Sequence, residues 1–179
     1  MKRKILTLVL FVLVATACGT FENATIYDRK VRYFSSTILS VDRTIVTLAN
    51  QSVWEVDHLA TIVNLSPVFV VLEENVNVGD MYIGNQKYRI HGGVTEDFFY
   101  RFGYLQIMKS YDPKKHIITL LNDSKWEVPV EFAKFIESWE PGSEVVITED
   151  ENFIINARKQ EKVPTRRIYA KRRKGTQRR

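Results

Sequence analysis

The residues able to do covalent or metal chemistry are few in this chain of 179 residues, and they lie far apart. Cys18 is the only thiol, and the three histidines are His58, His91 and His116. No HExxH, no Cys/His metal spacing and no Gly-rich phosphate loop occurs, so zinc and nucleotide-phosphate chemistry lack their usual ligand sets. There is no GxSxG, and the single thiol has no base beside it in sequence, which leaves nucleophilic catalysis without an activated nucleophile. His116 takes the place of Thr44 in an internal repeat, a surface strand position. The carboxylate pairs Glu73/Glu74 and Asp150/Glu151 fall in turn-like or edge stretches, where solvated side chains are the default. This inventory reads as non-enzymatic, with no cofactor and no metal.

What the sequence offers instead is repetition. "TIVTLANQSVWEV" from Thr44 to Val56 and "HIITLLNDSKWEV" from His116 to Val128 share eight of thirteen positions without a gap, among them Asn50/Asn122, Ser52/Ser124, Trp54/Trp126 and Glu55/Glu127. Neighbours on a strand point to opposite faces, so each Trp-Glu pair puts one side chain inward and one outward. Two readings stay open. In one, Trp54 and Trp126 plug a core while Glu55 and Glu127 face water; in the other, the indoles form an exposed stacking platform for sugars or bases.

The elements needed to position such pairs are legible around them. "YFSSTILSVDRTIVTLANQSVWEVD" gives short Val/Ile/Thr/Tyr-rich stretches broken at turn residues, a pattern of strands joined by hairpins. "YLQIMKSYD", "HIITLL" and "KWEVP" repeat that order. Phe132, Phe135, Ile136 and Trp139 follow at helical spacing, "EPGSE" ends that helix, and "VVITED" and "NFIINAR" supply another strand pair. In the first copy, "HLATIVNLSP" is the matching short helix. The fold class is therefore mainly β, two tandem small β-barrel modules that resemble OB-type or SH3-like barrels in architecture, each with a short helix. Modules of this size are marginal alone, so they are expected to pack on each other. The boundaries are 31–91 for the first, 92–103 for a linker whose Phe98, Phe99, Tyr100 and Phe102 could fill an intermodule core, and 104–160 for the second.

The two ends carry a different message. "MKRKILTLVLFVLVATAC" opens with three cations and runs apolar from Ile5 to about Ala17 before its cysteine, the layout of a secretory signal. That run is too short for a spanning helix, which needs ~20 residues. "VATAC" resembles the lipobox of bacterial lipoproteins, in which small residues precede a cysteine that takes a diacylglyceryl group. The resemblance implies cleavage after Ala17, lipidation and acylation at Cys18, and a cell-envelope protein held in a membrane by acyl chains. Residues 1–17 are then a signal peptide and 18–30 a tether. A plain secretory protein is the competing reading, in which Asn23, Asn50, Asn64 and Asn122 would be glycosylation acceptors.

The formal net charge of +5 hides an asymmetry. Residues 158–179 hold eleven Lys or Arg against one acid, while residues 5–157 hold twelve basic and twenty acidic residues. The stretch 161–179 reads as a disordered basic tail. Its Arg166, Arg167, Lys171, Arg172, Arg173, Lys174, Arg178 and Arg179 are candidates for contact with anionic lipid or another polyanion. The function expected is a lipid-anchored envelope protein with a structural or binding role; the alternative is a glycan- or nucleic-acid-binding protein using barrel aromatics and the tail.

Overall fold

The structure, a computed structural model, describes residues 29–58, 64–93 and 100–169. Residues 1–17, read as a signal peptide, Cys18, most of the stretch 18–30 read as a tether, Asn23, Lys171, Arg172, Arg173, Lys174, Arg178 and Arg179 lie outside the described residues.

The first half is built of β1 (Arg29–Asp42), β2 (Ile45–Leu48), β3 (Val53–Val56), β4 (Pro67–Glu73), β5 (Val78–Ile83) and β6 (Gln86–Gly92). Every neighbour is antiparallel, and the pairings run β1–β2–β3–β6–β5–β4 and back to β1. This is a closed barrel, which leaves no unpaired sheet edge. It has six strands where the sequence pattern pointed to five. Alternation drives it: Val46, Leu48, Trp54 and Val56 point inward from β2 and β3 while Ile45, Val53 and Glu55 face out. The lumen is filled by Phe34, Ile38, Val46, Leu48, Trp54, Val68, Val70, Leu72, Met81 and Ile90. Each such fully buried large side chain contributes roughly 1.5–3 kcal/mol. Of the stretch expected to be a helix in this half, 58–67, residues 59–63 lie outside the described residues, while Asn64 and Leu65 form a turn and Pro67 begins β4 instead.

The second half comprises β7 (Arg101–Asp112), β8 (Ile117–Leu120), β9 (Lys125–Glu127), a 3-10 turn at Val130–Phe132 leading into α1 (Ala133–Glu137), β10 (Glu144–Thr148), β11 (Phe153–Asn156), β12 (Glu161–Pro164) and β13 (Arg166–Ile168). Strand β7 pairs with β8 and β10, β10 with β11, β11 with β12, and β9 with both β8 and β13. The helix buries Ala133 and Ile136 and delivers Trp139 to the core, but Phe135 is exposed, so the stripe read from sequence is narrower than its spacing implied.

Residues 161–168 correct the tail boundary. They form β12 and β13 because Val163 supplies an inward apolar residue, 1% exposed, against an available strand edge on β11. Arg166 and Arg167 thus sit on a strand rather than in a tail. The linker is corrected too: Gly92 ends β6 and residues 101–103 begin β7.

The halves meet through β1 and β7, which pair from Arg29 opposite Leu105 to Tyr33 opposite Arg101. Farther along the same edge each strand turns to its own hairpin partner, with a register shift at Ile38/Ser40 in β1 and at Met108/Ser110 in β7. The core between the halves consists of Val31, Tyr33, Phe69, Val71, Tyr82, Leu105, Val146, Ile155 and Ala157. Of the linker aromatics, the described Tyr100 and Phe102 do not belong to it. Tyr100 packs on the first core, Phe102 is 39% exposed under Lys30, and Phe98 and Phe99 lie outside the described residues. Gly103 lets β7 thread between its neighbours, since a Cβ there would lie 2.4 Å from the Ile147 carbonyl oxygen and 2.8 Å from Val146 Cγ1. Among the described residues no helix is long and apolar enough to cross a membrane.

Candidate functional site

The repeated thirteen residues form one construction in both halves. After β2 the chain turns with Gln51 at φ 66°, and after β8 it turns with Asp123 at φ 59°. Asn50 Oδ1 accepts from the Ser52 amide at 3.1 Å and the Ser52 hydroxyl at 2.7 Å, and Ser52 Oγ accepts from Trp54 Nε1 at 2.8 Å. Asn122, Ser124 and Trp126 repeat this relay at 3.1, 2.6 and 3.0 Å. The relay explains the spacing Asn-x-Ser-x-Trp. An asparagine side chain orders the turn, and the serine it holds satisfies an indole N–H that would otherwise be buried without a partner. Trp54 is 0% exposed and Trp126 1%. A stacking platform needs an open ring face, so neither indole offers one.

The glutamate after each tryptophan faces outward across the strand. Glu127 lies opposite Arg166 in the β9–β13 ladder and accepts from its guanidinium, with Nε at 3.0 Å. Glu55 is exposed opposite His91, whose Nε2 lies 3.0 Å from Asp57 instead. These are cross-strand surface pairs, worth little individually.

The two halves part company at one end of the strands. In the first half the chain closes over its own tryptophan. Gly93, at φ +87°, lies so close to the Trp54 ring that a Cβ there would sit 2.2 Å from Cη2. Its carbonyl accepts from Asn77 Nδ2 at 2.8 Å. Tyr100 stands edge-on to Phe34 at 6.0 Å, with the Arg32 guanidinium 4.6 Å above its own ring. The ladder registers give the counterparts in the second half: Trp54 faces Gly92 as Trp126 faces Arg167, and Phe34 faces Val70 as Tyr104 faces Ile147.

At that matching place the second half is open. A cleft of about 490 Å³ is lined by Tyr104, Asn122, Ser124, Trp126, Ile147, Glu149, Asp150, Glu151 and Arg167. Its lining joins Tyr104, Trp126 and Ile147 to the relay, to three successive acidic residues and to Arg167, whose guanidinium lies 5.5 Å over the Trp126 ring. Glu149 and Asp150 also border a neighbouring cleft of about 510 Å³ that contains Arg101, Phe102 and Lys162.

The rim is set by the β10–β11 turn. The Thr148 hydroxyl donates to Asp150, and Asn152 donates to it through its amide at 3.2 Å and its side chain at 2.9 Å. These donors, Thr148 first, hold the Asp150 carboxyl below its ordinary range because they stabilise the charged form. Glu151, at φ 56°, accepts from Arg167 at 2.7 Å and from the Tyr169 hydroxyl at 3.1 Å. Lys30 reaches to 3.8 Å from Glu149.

The other chemistry-bearing residues do not converge. Tyr111 Oη lies 3.3 Å from His116 Nδ1 at a turn before β8, and His58 is exposed at the end of the first hairpin. Glu73 takes up Arg29 and Arg89, and Glu74 takes up Lys30. Among the described residues no group of three His, Cys, Asp or Glu side chains could hold a metal ion. Reasoning from sequence assigned Asp150/Glu151 to a solvated turn and missed Glu149, Tyr104 and Asn122 as a set. Comparing where the two copies diverge, rather than where they agree, was the signal that could have found them. Compared with known proteins, the chain matches no family model, no curated protein and no solved structure.

Proposed function

We propose that this chain is a lipid-anchored envelope protein whose two halves are copies of one six-stranded barrel, and that the second copy is a non-catalytic binding module for a cationic ligand. The lipid anchor rests on the "VATAC" resemblance at Cys18. The duplication is supported by the ladders: β12 and β13, broken at Thr165, together take the neighbours that β6 has alone, one pairing toward β11 and the other toward β9.

The observation that carries the binding reading is the contrast at the two tryptophans. Both sit on the same relay and both are buried, yet over Trp54 lies the backbone of Gly93, while over Trp126 lies the Arg167 guanidinium, 5.5 Å from the ring, beside an open cleft that also carries Glu149, Asp150 and Glu151. Such a rim attracts cations and repels phosphate. That argues against a nucleic acid and, with the indole faces buried, against ring stacking on a glycan.

The test uses the full-length protein with serine at Lys171, Arg172, Arg173, Lys174, Arg178 and Arg179, which removes the chain's own polycation as a competitor. Titration with an oligolysine peptide at low salt should shift the NMR signals of Trp126 and Tyr104. Glu149→Gln with Asp150→Asn should weaken the binding. Unchanged signals at both aromatics under saturating peptide would refute the proposal.

A further inference from the structure

We infer that the cleft bordered by Tyr33, Arg101 and Lys162, at the joint between the halves, binds an acidic sugar, a pyranose ring that carries a carboxylate. This is a second site, and it does not depend on the cation reading of the cleft beside Trp126.

The ladder of the joint builds it. Tyr33 on β1 lies opposite Arg101 on β7, and both border the cleft of about 510 Å³ together with Phe102, Glu149, Asp150 and Lys162. The Tyr33 ring packs on Phe69 in the core between the halves, and the residue is only 4% exposed. Among the described residues its hydroxyl has no hydrogen-bond partner. Burial raises the phenol above its ordinary range, and of the charges that act on it Arg101 lowers it and Asp150 raises it. Both charges belong to the cleft wall, so the hydroxyl is the part of this buried side chain that meets the cleft. Buried polar groups in native proteins are rarely left without a partner, and here the missing one can come from a ligand.

The cations of the cleft are also unpaired. Among the described residues neither Arg101 nor Lys162 enters an ion pair, and the Lys162 ammonium stands 3.7 Å over the Phe153 ring. The acids of the same cleft face other donors: Asp150 is held by Thr148 and Asn152, and Glu149 has Lys30 at 3.8 Å. Two cations and a hydroxyl form a receptor for a carboxylate. A doubly charged phosphate is disfavoured there by Glu149 and Asp150. Glu149, with a single distant lysine, keeps acceptor capacity for ligand hydroxyls, and Phe102, 39% exposed, offers an apolar face to ring C–H groups. Carboxylate, hydroxyls and a C–H face on one small body describe an acidic sugar. The other end of the ladder pairs Val31 with Gly103, which supply neither a hydroxyl nor a cation, so the joint holds one such site.

The experiment is an NMR titration of the full chain, 13C-labelled in its tyrosine and phenylalanine rings, with sodium glucuronate. Shifts at Tyr33 and Phe102 are expected, and glucose, which lacks the carboxylate, should bind at least about tenfold more weakly. Tyr33→Phe keeps the ring in the core and Arg101→Gln changes an exposed strand position, so each should keep a native spectrum and weaken glucuronate binding at least about tenfold. Should either variant lose its native spectrum, the ligand series on the unsubstituted chain decides. Benzoate, a ring carboxylate without hydroxyls, binding as tightly as glucuronate would overturn the sugar assignment. Inorganic phosphate binding as tightly would make the cleft a general anion patch and overturn it too, as would unshifted Tyr33 and Phe102 signals in about 50 mM glucuronate. Trp126 and Tyr104, which report on oligolysine, are read separately, so either site can fail alone.

Discussion

Arg32 lies directly opposite Phe102 in the ladder between β1 and β7, and the two residues are counterparts in the two halves. Each stands the same distance before its bulge, since Ile38 faces Leu48 as Met108 faces Leu120. The joint is therefore a strand paired with its own copy about a local two-fold. Val31 and Gly103 flank the axis on one side, Tyr33 and Arg101 on the other. The counterpart of Tyr33 is Gly103, and this asymmetry is needed: a tyrosine fills the intermodule core from one strand, and the other strand must leave room for it, with Tyr33 Cε1 3.2 Å from where a Gly103 Cβ would be.

Gly103→Ala should destabilise the protein for that reason. The added methyl meets a backbone carbonyl of β10 at 2.4 Å rather than a flexible side-chain tip, so the β7–β10 ladder has to shift. Overpacking of this kind costs about 1–3 kcal/mol. In a folded unit of this size that lowers Tm by roughly 2–4 °C per kcal/mol, measured by differential scanning calorimetry. An unchanged Tm would mean that the ladder yields freely.

The two relays should respond differently to the same truncation. Ser52→Ala leaves the Trp54 indole N–H without its acceptor in a closed core, where Ser52 is 1% exposed, while Asn50 keeps only the residue-52 amide, and it should cost about 1–3 kcal/mol. Ser124→Ala removes the equivalent hydroxyl at the wall of an open cleft, where water can replace it, and should cost less than about 1 kcal/mol. Urea denaturation of both variants gives the comparison. Equal losses would show that the cleft excludes water as well as the barrel does.

Much of this was legible beforehand. The mainly β class, the hairpin order and the turn residues followed from alternation around "ANQS" and "LNDS". The pairing of β12 and β13 did not, because "EKVPTRRI" offers one inward valine among charges, and only a neighbouring strand edge makes it a strand. The cleft was illegible for another reason. Its residues come from β7, the turn after β8, β9, β10, the β10–β11 turn and β13, and repeats in sequence do not display which of these the fold brings together.

Asp150 gives the rim a pH signature. Its folded-state carboxyl is held low by donation first from Thr148, then from Asn152. A lowered folded value means that its charge, and any contribution to the proposed cation binding, is present above the ordinary carboxylate range and is lost only as pH falls through the depressed value. Thr148→Val removes the leading donor and should move that loss to higher pH. The variant also takes an acceptor from the Phe153 amide, so stability is expected to fall with it; the readout is the NMR titration of the Asp150 carboxyl itself. An identical titration curve in the variant would assign the low value elsewhere.

Cys18→Ala tests the anchor. The acyl chains that the "VATAC" resemblance implies would hold the chain by about 0.8 kcal/mol per buried methylene, and among the described residues no helix is long and apolar enough to cross a membrane. Two or three acyl chains hold far more tightly than one, so the substitution should move the mature protein from the membrane pellet to the supernatant in a carbonate wash. Tight retention of Cys18→Ala in high salt would exclude lipidation as the anchor.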